Sequence, residues 1–369
     1  MAVARRWIAG LACAGLLGAT AQTRADETGS GGASSAEEAA ALVTAMSRAL
    51  RVLNYEGIFV HLQGPHVSSL RIVHANDGEG ELERMTSLDG EAREVIRDHS
   101  LVTCIWPGSQ SVVVSKSKPR RLLPNVDAAL ARNPNYAFAL AGTDRVAGLP
   151  TDVVEIRPRD AFRYGYRFWI DSDTHMLLRS MLLDGEHVLE QVLFTAIEYP
   201  QRIDRARFEI DVEDEHMSWI DSSSGTRASS AGVLPFETPS GSEEGGGASE
   251  KSGAPDGART RPEADASGSD RVLFENLPAG YAELTESYRD ARAGEVAVSH
   301  VMLSDGMASV SIYVEHARAE EQDTSVAGLS SMGAMNAYGL SLEQGFVTAV
   351  GEVPPGTVRA IAESVRLSR

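Results

Sequence analysis

The sequence of 369 residues has room for two domains and a linker, and its 43% hydrophobic content suffices for ordinary cores. A formal net charge of −18 argues against nucleic acid as a partner, because binding phosphates needs a positive surface. The same charge disfavours unaided adsorption to an anionic membrane and suits a partner with basic patches.

Arg5 and Arg6, the apolar run Trp7 to Gly18, and Ala19-Thr20-Ala21 form the three parts of an export signal, with cleavage expected after Ala21. The run is too short for a permanent anchor, and no other segment is long enough to span a bilayer. Cys13 lacks the apolar residue three positions upstream that a lipoprotein signal requires. Export leaves Cys104 alone in an oxidising compartment, so no internal disulfide is expected; within Leu101–Trp106 it reads as a buried small hydrophobe.

Ser35 and Glu38 make a capping box, and Leu42, Met46, Ala49 and Leu53 follow at helical spacing, which predicts an amphipathic helix over residues 36–53. The period then changes to two. Strands are expected at 58–62, 70–74 and 82–86, then, after a hairpin turn at Asp89-Gly90, at 93–97, 101–106 and 112–114. Residues 119–135 read as an irregular basic excursion. Strands resume at 144–147 and 152–157, and 164–171, 175–183 and 188–197 form a meander with turns at Asp171-Ser172-Asp173 and Asp184-Gly185. Many antiparallel strands beside one N-terminal helix imply a strongly curved sheet or open barrel, a natural container for an apolar ligand.

Residues 222–270 are dominated by Ser, Gly, Ala, Pro, Glu and Asp and read as a flexible acidic linker. Order returns near Val272, with strands at 281–289, 295–303 and 307–315, the last two joined by the turn Asp305-Gly306. A small-residue loop at 324–336, a strand at 345–351 and a final helix opened by Pro354-Pro355, with Val358, Ile361, Ala362 and Val365 on one face, complete a small α+β domain. The expected organisation is a signal peptide (1–21), a large domain (22–220), the linker (221–270) and the small domain (271–369).

The sequence carries no nucleophile elbow, Walker loop, dinucleotide fingerprint or Cys-x-x-Cys, so no catalytic residue and no cofactor is assigned and a non-enzyme is expected. His61, His66 and His74 fall on neighbouring predicted strands, but without the spacing of a zinc motif; no metal is expected. Residues 159–169 interleave aromatics and arginines around Gly165, a composition that binding hot spots share with ordinary core aromatics beside surface arginines. Pro119-Arg120-Arg121 adds local positive charge that suits an anionic head group.

Leu53–His61, Glu83–Met85 with Leu88–Arg97, and Arg163–Asp171 with Leu177–Ser180 resemble successive blocks of the MucB/RseB proteins. So do Ser304–Ser311, Gly333–Gly339 and Val350–Pro354 in the second half. The resemblance runs in order through nearly the whole chain after the signal; the linker is longer and more acidic than the family's pattern. It implies a fold that is mainly β with α: a large domain like the lipoprotein carrier LolA, an open, strongly curved antiparallel β-barrel with covering helices over an apolar cavity, plus a smaller α+β domain. It also implies a periplasmic negative regulator of a sigma-E type envelope-stress response. Such a protein binds the periplasmic part of an RseA/MucA-like anti-sigma factor, shields it from site-1 proteolysis, and is displaced by lipid or lipopolysaccharide. Phe59, Ile72, Phe168 and Leu182 are the candidate lipid-binding residues; Arg163, Tyr164, Tyr166, Asn336 and Tyr338 are the candidate partner-binding residues. A LolA-type carrier of lipids or lipoproteins is the alternative reading, and self-association as a homo-oligomer is left open.

Overall fold

The computed structural model describes residues 30–116, 133–211, 217–221, 271–289, 296–316 and 327–368. The export signal, Cys13, the Pro119-Arg120-Arg121 cluster and the linker over 222–270 lie outside them. Among the described residues, no helix is long and apolar enough to cross a membrane.

Helix α1 (Ser30–Val52) buries Ala39, Val43, Met46 and Leu50, positions spaced to form one stripe. It begins upstream of the expected start, so Ser35 lies inside the helix and the Ser35–Glu38 capping box is not its N-terminus. A capping pattern marks only a local option; without a proline over residues 30–35, the helix continues one more turn upstream in spite of Gly31 and Gly32.

Among the described residues eleven strands follow: β1 (Tyr55–Gln63), β2 (His66–Asn76), β3 (Glu81–Ser87), β4 (Glu94–Asp98), β5 (Leu101–Trp106), β6 (Ser111–Lys116), β7 (Tyr136–Val146), β8 (Leu149–Pro158), β9 (Gly165–Asp171), β10 (Leu177–Asp184) and β11 (His187–Glu198). With β12 (Ser218–Asp221) they make one sheet in the order β12-β6-β5-β4-β3-β2-β1-β11-β10-β9-β8-β7. It is two meanders, joined where β1 pairs antiparallel with β11, and open at both edges. Among the described strands of this sheet, the β12–β6 pairing alone is parallel. The sheet curves around α1: Tyr55, Phe59, Leu70, Ile72, Ile156, Phe168, Ile170 and Phe194 are fully buried in one core with Met46. The architecture is the open curved antiparallel sheet expected.

Two local expectations change. Asp89-Gly90 is not a two-residue hairpin: the β3–β4 connection runs from residue 88 to 93, and the Asp89 carboxylate accepts the Ser69 backbone N–H at 2.7 Å. Strand β7 begins eight residues before Asp144, because Tyr136-Ala137-Phe138-Ala139-Leu140 offers no polar alternation by which to recognise it. Its pairing with β8 is interrupted between Leu140 and Thr143, where Gly142 takes a φ of 96°.

The second unit has β13 (Arg271–Phe274), β14 (Ala282–Arg289), β15 (Ala297–Ser304), β16 (Ser309–His316), β17 (Gly328–Met332), β18 (Met335–Leu342), β19 (Gly345–Gly351), α2 (Pro355–Ser364) and β20 (Val365–Ser368). Six strands pair in the order β14-β15-β16-β19-β18-β17, and β13 pairs with β20. Val301, Leu303, Val310, Ile312, Val347 and Ala349 pack against Val358, Ile361 and Ala362 of α2. Proline at the first helical position suits α2, since the missing N–H would have no helical partner there. Val365 ends the helix and starts β20 instead of continuing its face. The stretch expected as a loop over 324–336 is, from residue 328 on, the hairpin β17–β18, which turns at Gly333-Ala334 with Gly333 at φ 59°. Small residues hide strand periodicity, because neither face is distinctly apolar. Residues 324–326 lie outside the described residues.

Candidate functional site at the seam between the two units

The most connected polar cluster lies where the two units meet, and it is built from turns. Asp305 opens the β15–β16 turn, and its Oδ1 accepts the backbone N–H groups of Met307 (2.9 Å) and Ala308 (2.8 Å). That local arrangement points Oδ2 out of the second unit. There it accepts hydrogen bonds from Arg163 Nε (2.7 Å) and the Tyr136 hydroxyl (2.8 Å), both from the first unit.

Arg163 uses its remaining edges as well. Nη1 donates to Asp160, and Nη2 to the carbonyl of Ala279 in the second unit. Its guanidinium carbon lies 5.1 Å from the Tyr281 ring centre and 5.9 Å from that of Tyr136. The Arg163 and Asp305 side chains are both 0% exposed. Burial works against the arginine's charge, but Asp305 and Asp160 outweigh it and raise its pKa. Burial, reinforced by nearby Asp305, lifts both Tyr136 and Tyr281 well above the usual phenol range, so both hydroxyls stay donors at neutral pH.

Flanking contacts extend the seam. The Phe162 carbonyl accepts from Thr357 Oγ1 (3.0 Å) and the Tyr281 hydroxyl (3.2 Å). Asn336 Nδ2 donates to the Tyr164 hydroxyl at 3.1 Å and to the Val353 carbonyl at 2.8 Å. Apolar contact is limited: Tyr164 and Leu182 meet Ala334, and Met307 packs on the first core. Gly280 permits the close approach, for its φ is 87° and a Cβ there would run into the Asn135 side-chain amide.

The structure therefore brings Arg163, Tyr164, Leu182 and Asn336 together and engages them inside the chain. Tyr166 is half-buried, packed against Tyr164, Leu182 and Ala334 on one side and beside Phe168 on the other, the two rings' centres 5.7 Å apart. Tyr338 is half-buried on the second core, with the Arg359 guanidinium 5.9 Å from its ring. Phe59, Ile72 and Phe168 are packed beneath α1. Asp305, Tyr136 and Tyr281 escaped sequence reasoning. Asp305 carried only a turn signal, and its partner Arg163 is 142 residues away.

The histidines do not converge. His66 pairs with Gln63 and His74 with Tyr55, at opposite ends of the β1–β2 hairpin, roughly 26 Å apart at 3.3 Å per residue. His61 Nε2 instead lies 2.8 Å from Glu190, and His74 Nδ1 lies 2.7 Å from the Leu53 carbonyl. Among the described residues, no group of His, Cys, Asp and Glu is placed to hold a metal ion. Cys104 is half-buried on β5, and burial raises its pKa, favouring the inert thiol.

An open curved sheet wrapped on a helix, with a small α+β unit docked at a polar seam, defines a two-module protein. The family models for the MucB/RseB N-terminal domain and C-terminal domain match residues 38–212 and 268–366, and the chain belongs to the MucB/RseB family. It is 26% identical to the sigma-E factor regulatory protein RseB of Salmonella typhimurium over 341 residues, 91% of this chain and 93% of that protein. It is 34% identical to the Haemophilus influenzae RseB over 143 residues, 38% of this chain and 45% of that one. The Pseudomonas aeruginosa MucB solved in complex with MucA shares the fold, with a TM-score of 0.62 at 23% identity over 90% of this chain and 99% of that one.

Proposed function

We propose that this chain is a non-catalytic periplasmic regulator of a sigma-E type envelope-stress response. In this reading it binds the periplasmic part of a membrane-spanning anti-sigma factor, shields that segment from site-1 proteolysis, and lets go when lipid or lipopolysaccharide binds. Family membership across both domains carries the reading. Curated relatives are named regulators of sigma-E and of AlgU, and a MucB of the same fold has been solved with MucA.

Lipid sensitivity has a physical route in this fold. Phe59, Ile72 and Phe168 sit under α1, whose apolar stripe covers them. An acyl chain reaches them by taking the place of that stripe, and each buried methylene contributes about 0.8 kcal/mol. The exchange also returns Ala39, Val43, Met46 and Leu50 of α1 to water, so only the surplus of acyl burial over that exposure drives it.

A protease-protection assay tests the reading. The periplasmic segment of an anti-sigma factor is incubated with site-1 protease, with and without this protein. Slower cleavage in its presence, restored by lipopolysaccharide, is expected; an unchanged cleavage rate at saturating protein contradicts the proposal.

A further inference from the structure

We propose that Arg163 and Asp305 form an interdomain latch, which selects one docking register for the two domains and opens without unfolding either. Each domain has its own apolar core, and among the described residues the apolar contact between them is small: Met307 on the first core, and Tyr164 and Leu182 with Ala334, flanked by Tyr166 and Leu189. A seam that is mostly polar gives little apolar free energy to hold a register, so directional bonds must set it. Arg163 and Asp305 supply the most demanding of these bonds. Both side chains are wholly buried, each comes from a different domain, and each is fully bonded only when the other is in place. A shift of the seam by a few ångströms separates the two charges, leaving Arg163 with Asp160 and Asp305 with its turn amides but each without its cross-domain partner, which disfavours neighbouring registers.

Asp305 is suited to such a role because its two oxygens serve different domains. Oδ1 closes its own turn, whereas Oδ2 faces Arg163 and Tyr136. The turn therefore stays formed in the open state, ready to engage again. Two bonds away from the charges, Asn336 to Tyr164 and Thr357 to the Phe162 carbonyl, hold the seam without specifying it as strictly. The consequence is an asymmetry between single and paired substitutions. A buried charge that has lost its cross-domain counter-charge disfavours the closed state; removing both charges removes the objection.

The test uses the full mature chain with Asp305→Asn, Arg163→Met and the two combined. Asp305→Asn keeps an oxygen for the turn amides but presents N–H groups to Arg163 and Tyr136. In the double variant that amide donates to the Tyr136 hydroxyl oxygen. Compactness is read by small-angle scattering, and opening by peroxide oxidation of Met307, which lies on the first core when docked. Circular dichroism melting follows each domain's own transition. Both single variants are expected to be extended, with Met307 oxidation at the open-state rate and both melting transitions retained. An effect on the open population of roughly a hundredfold or more matches the usual consequence of stranding a buried charge. The double variant is expected to be compact, with Met307 protected again. Compact single variants, a double variant as open as the singles, or loss of either domain's own transition would each overturn the latch.

Discussion

Replacing Phe168 with alanine is expected to destabilise the first domain by about 3–5 kcal/mol while leaving the second domain's transition in place. Phe168 lies mid-β9, opposite Val154 on β8 and Ser180 on β10, and is 0% exposed. Its ring fills the space between the sheet and α1, among the largest buried side chains of the core. Truncation leaves a void that a twelve-stranded sheet, tied by its ladders, closes only in part. Denaturant unfolding followed separately for the two domains reads this as a lower midpoint for one transition at unchanged slope. A loss below about 1 kcal/mol would mean that the site is already loosely packed.

Asn336→Ala is expected to cost the second domain about 2–4 kcal/mol and to loosen the seam beside Tyr164. The side-chain amide of Asn336 donates to the Val353 carbonyl and the Tyr164 hydroxyl, and its oxygen accepts from Ser331 Oγ at 2.5 Å. The residue is 2% exposed, so water does not readily replace those bonds. With the Ala334 carbonyl, which also accepts from Nδ2 at 3.3 Å, four polar groups lose a partner at once, and burial makes each loss costly. Melting of the second domain, compared with a Ser331→Ala control that removes one bond only, measures the difference. Equal stability in the two variants would show that Asn336 does not join the hairpin to the seam.

Local signals made most strands legible. The alternation in β1, β2 and β15, the turn glycines Gly185 and Gly306, and Pro355 at the start of α2 each act over a few residues. Strands built of small residues were not legible, since β17 (GLSSM) presents no apolar face and Tyr136–Leu140 no polar one. Arg163 and Tyr164 were candidate partner-binding residues in a stretch whose composition also fits core aromatics beside arginines, and both engage the second domain of the same chain. Locating that contact required Asp305 and Asn336, which lie 142 and 172 residues further on, beyond any local pattern. The apolar residues read as a container lining were legible as inward-facing strand positions. Their packing under α1 follows from tertiary contacts that strand periodicity does not encode.

In the proposed mechanism lipid and anti-sigma segment compete for the state of one two-domain body, and linkage makes that competition measurable. A ligand that binds both states equally shifts nothing, however tightly it binds. A difference of about 1.4 kcal/mol between the two states changes partner affinity tenfold, and the partner must change lipid affinity by the same factor. A lipid with a fluorescent acyl chain is therefore titrated into the mature protein with and without a saturating anti-sigma peptide. Lipid affinity weakened by the same factor by which lipid weakens peptide binding is the predicted result. Unchanged lipid affinity at saturating peptide, with both ligands still bound, would contradict release by lipid.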